Sequence, residues 1–421
     1  MLYNSNQNIF LQFQVVDTQD QFKAKYEGDF TLYGVAYHDR TVLHCTFIEG
    51  LLTFQILFNK KPWPLKLRAK VLVGDEVRIS IIPYRLQMMV NGVVQDEEWY
   101  FGEPYFDRAK LICENTKVEL GVLPIEEKRE EPIVVGTFEK AEGWKPSGNV
   151  FVGDCMPHIA DGRYHVVYLR DRHHHRSKWG LGAHEYAHIS TDDFEHWQIH
   201  PDVLKLEHEE EGSFCTGSFV QKDGKYYVYY TVRQNTCPTQ EAAPLMRAVS
   251  NDGYHFVKDD GFKFYLSEKY YTQETRDPKI FQDEEGLWHI LLTTAIRETE
   301  KGCLAHIVSK DCEHWTELEP FYISEDDVRP ECPDYFKIGD TYYFLFGRSG
   351  RAEYRYSKNP FGDWKIPENP YIPCGRVPKC AFWEDKLIFV GFRDMENADY
   401  AGTMTFANAE IEENGILHFI K

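Results

Sequence analysis

What most restricts the fold of this chain is a repeat. From about Asn149 to the last residues one pattern returns roughly every 50 to 60 residues, the spacing of propeller blades or modular arrays. Each copy opens with a turn feeding an aromatic-rich strand. The first two are Asp161-Gly162-Arg163-Tyr164-His165-Val166-Val167-Tyr168 and Asp223-Gly224-Lys225-Tyr226-Tyr227-Val228-Tyr229-Tyr230. The next are Glu285-Gly286-Leu287-Trp288-His289-Ile290 and Gly339-Asp340-Thr341-Tyr342-Tyr343-Phe344, and Glu384-Asp385-Lys386-Leu387-Ile388-Phe389-Val390 is a weaker fifth. Four copies close on a polar turn and an aromatic: Ser190-Thr191-Asp192 before Trp197, Ser250-Asn251-Asp252 before Phe256, Ser309-Lys310-Asp311 before Trp315, and Ser357-Lys358-Asn359 before Trp364. Ser, Asp and Asn side chains bond the backbone two residues on and hold a tight connection between outer strands. The closing ring is expected to pack between neighbouring repeats. The expectation is an all-β chain with a five-bladed β-propeller over 150–421, about four strands to a blade, rather than a sandwich of evenly spaced strands.

Residues 1–130 lack the repeat. Short alternating strands occur at 31–35, 42–47 and 51–57, and Leu86 to Val94 reads as a hairpin in which Asn91-Gly92 supplies a type I′ turn. This half is expected to be a β-sandwich, either a carbohydrate-binding module or a docking domain. The charged stretch from Glu126 to Pro132 leads into an expected linker at 131–149.

Composition narrows the partners. A formal net charge of −20 repels nucleic acid and anionic membranes, so neither is an expected partner, and 15% aromatic residues favour β-structure and stacking on rings. The first fifteen residues lack a basic segment followed by an apolar run, and no stretch approaches the roughly 20 apolar residues of a spanning helix. A cytoplasmic location is therefore expected. The ten cysteines stand singly, with no Cys-x-x-Cys pair, and read as reduced core thiols. No nucleophile elbow, phosphate loop or dinucleotide fingerprint is present, so no cofactor and no resident metal is expected.

Three acids lie just upstream of a repeat's aromatic strand: Asp154 in Gly153-Asp154-Cys155-Met156-Pro157, Asp277 in Arg276-Asp277-Pro278, and Glu331 in Glu331-Cys332-Pro333-Asp334. Innermost strands converge on a propeller's channel, so these positions would meet although far apart in sequence. Crowded carboxylates raise at least one pKa and leave a protonated acid beside an ionised neighbour, which is what cleavage of a glycosidic bond requires.

Arg276-Asp277-Pro278 and Glu331-Cys332-Pro333-Asp334-Tyr335-Phe336 closely resemble the Arg-Asp-Pro and Glu-Cys-Pro-Asp motifs of glycoside hydrolase family 32, the invertase, inulinase and levanase group. Ala187 to Trp197 and Gly212-Ser213-Phe214-Cys215-Thr216-Gly217-Ser218 are similar to two further segments of that family. The resemblance implies Asp154 as nucleophile, Glu331 as general acid/base and Asp277 as transition-state stabiliser, with Arg276, Phe214, Cys215 and Asp334 near the substrate. It implies a retaining β-fructofuranosidase acting on a disaccharide or short oligosaccharide. Two alternatives stand beside it: another furanosidase resembling family 43 on the same propeller, and a sugar-binding protein without catalysis. Three features depart from the family: the surroundings of Asp154, an extra domain before the propeller instead of after it, and a basic segment, Arg170-Asp171-Arg172-His173-His174-His175-Arg176-Ser177-Lys178-Trp179. That segment reads as a lid in which Arg172, His175 and Trp179 recognise an anionic substrate group, as a metal site of His173, His175 and His184, or as a solvated loop.

Overall fold

In a computed structural model of the chain, the described residues are 8–15, 23–32, 35–59, 64–82, 84–100, 102, 104, 112–114, 119–123, 132–172, 184–207, 211–233 and 242–420. Residues up to 123, together with 146–150, form one compact unit; 132–145, 151–172 and 184–420 form the other.

The first unit is a sandwich of two five-stranded antiparallel sheets. Alternation dictates it. Leu51–Ile56 and Leu65–Lys70 bury every second residue, and these meet alternate residues of Glu76–Ile82 and Arg85–Val90 from the other sheet. Leu52, Phe54, Ile56 and Leu67 thus share one core with Val77, Ile79, Ile81 and Met88. The expected hairpin is present: Arg85–Val90 pairs with Val93–Trp99, and Asn91 and Gly92 both take positive φ, 50° and 78°, as a type I′ turn needs.

The second unit contains five antiparallel blades. Their innermost strands are Val150–Ala160, Ser218–Lys222, Arg276–Gln282, Glu331–Ile338 and Arg376–Trp383. Each pairs with the aromatic strand that the sequence marks, for example Arg163–Arg172 in blade 1 and Trp288–Ala295 in blade 3. These second strands are buried along most of their length, because both faces pack against neighbouring blades.

Two expectations need correction. Residues 131–149 are not a linker throughout: Gly136–Glu139 pairs with His196–Leu204 and adds a fifth, outermost strand to blade 1. The closing turn of blade 1 is also displaced by one residue, since Thr191, not Ser190, accepts from the N–H groups of Asp193 and Phe194. Ser250 and Ser309 play the same part in blades 2 and 3. Among the described residues no helix is long and apolar enough to cross a membrane.

Candidate active site

Three innermost strands begin with one local device. Arg276-Asp277-Pro278-Lys279, Glu331-Cys332-Pro333-Asp334 and Arg376-Val377-Pro378-Lys379 share a pattern in which the second residue has a left-handed backbone, φ 53°, 50° and 37°. In each, three residues of the innermost strand oppose two of its neighbour, so Arg276 faces Thr293 but Lys279 faces Leu291. The same slip occurs in blades 4 and 5. This is a β-bulge, and its proline has no N–H to leave unpaired there. A left-handed residue with a Cβ costs roughly 1–2 kcal/mol, and such strain gathers where a side chain must be aimed. Here it turns the first and second residues of each device into one mouth.

Blades 1 and 2 reach the same mouth through Asp154 and through Cys215-Thr216. Asp154, Thr216, Asp277, Cys332 and Val377, with Cys215, Arg276, Glu331 and Arg376, line a cavity of about 270 Å³. One carboxylate oxygen of Asp154, one of Asp277 and the Cys332 sulfur lie within 4.8 Å of one another. Side chains more than a hundred positions apart are therefore neighbours.

Asp154 is 9% exposed and held by hydroxyls from other blades. Tyr400 donates to its Oδ1 at 2.7 Å, Thr216 donates to its Oδ2, and the Cys332 thiol stands 3.4 Å from the latter. Gly153 makes room: a Cβ there would lie 2.6 Å from the Tyr400 hydroxyl oxygen. Asp277 accepts from the Cys332 backbone N–H at 3.2 Å, so blade 4 fixes a carboxylate of blade 3. Burial pushes the Asp277 carboxyl above its ordinary range; Arg276 opposes the shift, while Asp154 and Glu331 add to it. Burial, then the same two aspartates, hold the Cys332 thiol well above its usual value, so it stays protonated. With both Asp154 oxygens occupied and the sulfur protonated, this is a hydrogen-bonded cluster more than a cation site.

Arg276 lies between two acids. Its Nη2 is 2.8 Å from Glu331 and its Nε 3.6 Å from Asp277. The Glu331 side chain keeps 46% of its surface exposed against 6% for Asp277, which sets Glu331 at the outer edge and Asp277 deeper.

Asp154, Asp277, Glu331, Arg276, Phe214 and Cys215 all line the cavity. Asp334 and Arg172 do not. Asp334 is 1% exposed, paired with Lys279 and accepting from the Cys380 N–H at 2.8 Å, so it ties blades 3, 4 and 5 together beneath the mouth. Arg172 is buried. His173, His175 and Trp179 lie outside the described residues, while His184 lines the cavity and bonds Asp171 at 2.6 Å. Sequence reasoning passed over Tyr400 and the arginines Arg233, Arg348, Arg351 and Arg376 that share the lining. Arg376 carried a legible signal, since Arg376-Val377-Pro378-Lys379 repeats the form of Arg276-Asp277-Pro278-Lys279.

Comparison with known proteins identifies relatives of the chain. Residues 154–377 match the model of the glycosyl hydrolases family 32 N-terminal domain, a match that opens on Asp154 and closes on Val377. The sucrose-6-phosphate hydrolase of Escherichia coli is 26% identical over 314 residues, 65% of this chain and 61% of that protein. The chain thus spans less than two thirds of the length of this curated relative. The structure of the sucrose-6-phosphate hydrolase of Lactobacillus gasseri superposes with a TM-score of 0.54 at 15% identity, covering 65% of this chain and 63% of that one. Fructan 1-exohydrolase IIa of Cichorium intybus gives 0.53 at 16%, covering 67% and 60%. At that identity the two structures speak for the fold alone, but the family match takes in more than half of the 421 residues, and the chain belongs to glycoside hydrolase family 32.

Proposed function

We propose that the chain is a retaining β-fructofuranosidase-type hydrolase in which Asp154 is the nucleophile, Glu331 the general acid/base and Asp277 the stabilising carboxylate. The observation that carries this reading is the convergence of acids from blades 1, 3 and 4 on one sugar-sized cavity. Their environments support these roles. Two hydroxyl donors aim a fixed Asp154 carboxylate, whereas Glu331 stands at the open edge where a leaving group departs.

Asp154 attacks the anomeric carbon as the Glu331 proton passes to the leaving oxygen, which breaks the glycosidic bond and forms a glycosyl ester. Water then gives its proton to the Glu331 carboxylate and its oxygen to the anomeric carbon, releasing Asp154. Glu331 must carry a proton for the first step, so its pairing with Arg276 is the resting arrangement and substrate displaces it. Asp277 accepts hydrogen bonds from sugar hydroxyls, which strengthen as positive charge develops.

The substrate is proposed to carry an anionic group, as the name of the Escherichia coli relative suggests. Among the described residues the support comes from Arg233, Arg348, Arg351 and Arg376, which line the cavity. Arg348 pairs with Asp326 and Arg376 with Asp394, while Arg351 is exposed, its guanidinium 5.1 Å from the Tyr371 ring. A cytoplasmic site of action, where phosphorylated disaccharides occur, belongs to the same proposal.

The test is turnover of sucrose, sucrose 6-phosphate and inulin-type oligomers, with product anomers followed by NMR. Retention is expected, and Asp154→Asn or Glu331→Gln should lower kcat by ~10⁴-fold or more. Arg351→Ala should raise KM for the phosphorylated sugar and leave the neutral one unchanged. A wild type that binds sugars yet hydrolyses no fructoside or other furanoside returns the chain to the class of binding proteins.

A further inference from the structure

The crevice between blades 3 and 4 encloses about 670 Å³, more than the cavity at the carboxylates. It opens at the other end of the same innermost strands. Arg276–Gln282 runs from Arg276 at the catalytic mouth to Phe281 and Gln282 in the crevice, and Glu331–Ile338 runs from Glu331 to Lys337. Six residues of strand place the two sites roughly 20 Å apart.

The fold supplies its own control. Blades 1 and 3 carry the same buried histidine pair, His165 Nδ1 to His188 Nε2 and His289 Nδ1 to His306 Nε2, each at 2.8 Å. On the first histidine of each pair lies a ring from the innermost strand: His158 on His165 and Phe281 on His289, both with centroids 4.9 Å apart. A ring of the next blade stacks on that one, Phe219 on His158 at 4.2 Å and Tyr335 on Phe281 at 4.1 Å. The turn of the next blade adds a cap, Tyr254 at 5.1 Å from His165 and Phe361 at 5.0 Å from His289.

One member differs. In the blade 1–2 crevice a further histidine, His200, packs on His188 at 4.6 Å and on Tyr254 at 5.0 Å, and Tyr254 is 7% exposed. In the blade 3–4 crevice Phe361 is 43% exposed and borders open volume. The stack itself does not demand an exposed cap, because in its twin the capping ring is buried.

We propose that the blade 3–4 crevice is a second carbohydrate site, taking a neutral oligosaccharide whose apolar C–H face stacks on Phe361. The rim has the chemistry for the hydroxyls: Gln282 supplies an amide, and Glu284 and Lys337 face each other across the two blades. Asp283, Glu284, Glu285 and Glu319 outnumber Lys337 there, so a phosphorylated sugar is repelled and the crevice selects against the charge proposed for the catalytic mouth. That the saccharide is a fructo-oligosaccharide rests on the furanosidase reading.

The test is titration calorimetry of the full chain carrying Glu331→Gln, with inulin-type tri- and tetrasaccharides as probes. Two binding processes are expected. Adding Phe361→Ala should remove one of them, adding Phe361→Trp should keep both, and in the otherwise native enzyme Phe361→Ala should leave disaccharide hydrolysis within about twofold. Should Phe361→Ala disturb folding, seen as a lowered melting point, the exposed Lys337→Met serves instead, with a severalfold weaker second process. A single process indifferent to all three changes overturns the proposal, as does a crevice that takes choline and no saccharide. An inert wild type that still shows the Phe361-dependent process would remove the hydrolase reading and leave this site standing.

Discussion

Asp154 depends on two hydroxyls that belong to other blades, and this makes its positioning testable atom by atom. Thr216→Val and Tyr400→Phe each delete one donor to a carboxylate, an interaction worth about 1.5–3 kcal/mol, so kcat/KM should fall about 10- to 100-fold in each with little change in melting point. Asp334 should behave in the opposite way. Its carboxyl is buried, yet Lys279 and Lys379 hold it below the ordinary carboxylate range. Asp334→Asn leaves buried ammonium charge uncompensated and should destabilise the protein by about 3–5 kcal/mol in urea denaturation while sparing activity per folded molecule. At this scale the sequence was legible where a motif repeated. Asp277 and Glu331 announce themselves by the bulge pattern, and Arg376 does so as well. Asp154 could be found only by its place ahead of a strand, and Tyr400 not at all, for it sits 246 residues away in a turn with no pattern of its own.

The blades show why a repeat reveals elements better than it reveals their register. Ser190 and Thr191 both offer a hydroxyl and Asp192 and Asp193 both offer a carboxylate, so sequence alone cannot choose between them; the structure uses Thr191 and Asp193 for the turn and gives Ser190 to His200. The histidines of the blade 1–2 crevice went unremarked because a buried neutral imidazole has no local signature. They do have a thermodynamic one. Burial, the largest cause in each case, pushes His158 down to about 3, His165 to about 2 and His200 to about 4, and in blade 3 His306 to about 4. The unfolded chain binds these protons near pH 6.5, the folded one only far lower, so stability must fall as pH drops below about 6.5, by up to about 1.4 kcal/mol per pH unit for each histidine. The urea midpoint should therefore decline steeply from pH 7 to pH 5. His158→Phe, which installs the ring that Phe281 supplies in blade 3, should flatten that decline; an unchanged slope would mean that this histidine is not buried neutral.

A ring of blades must also be closed, and here the residues ahead of the first innermost strand matter most. Blade 5 is built wholly from the last strands, and its third strand touches blade 1 through one bridged pair, Val152 with Gly402. Among the described residues no strand is exchanged between first and last blade, and side chains and the segment 141–144 serve closure. Glu142 accepts from the Phe406 N–H at 2.8 Å and from Thr405, while Trp144 accepts from the Met404 N–H through its carbonyl and stacks on Phe138 at 4.2 Å. A segment read from sequence as part of a linker, on charge and proline content alone, is thus the clasp of the ring. The same seam crosses the mouth of the cavity, because Asp154 is in blade 1 and Tyr400 in blade 5. Loosening the clasp should therefore weaken stability and catalysis together, unlike the substitutions at Thr216 and Asp334, which separate them. Glu142→Ala removes a carboxylate that holds two donors and should cost about 2 kcal/mol. With it kcat/KM should fall severalfold although Glu142 touches no substrate, and Tyr400→Phe should then add less to that loss than it does in the native chain, because the two changes weaken one contact. A double-mutant cycle on kcat/KM, with urea denaturation run alongside, measures that coupling. Strict additivity would show that the Tyr400 contact with Asp154 forms independently of the clasp.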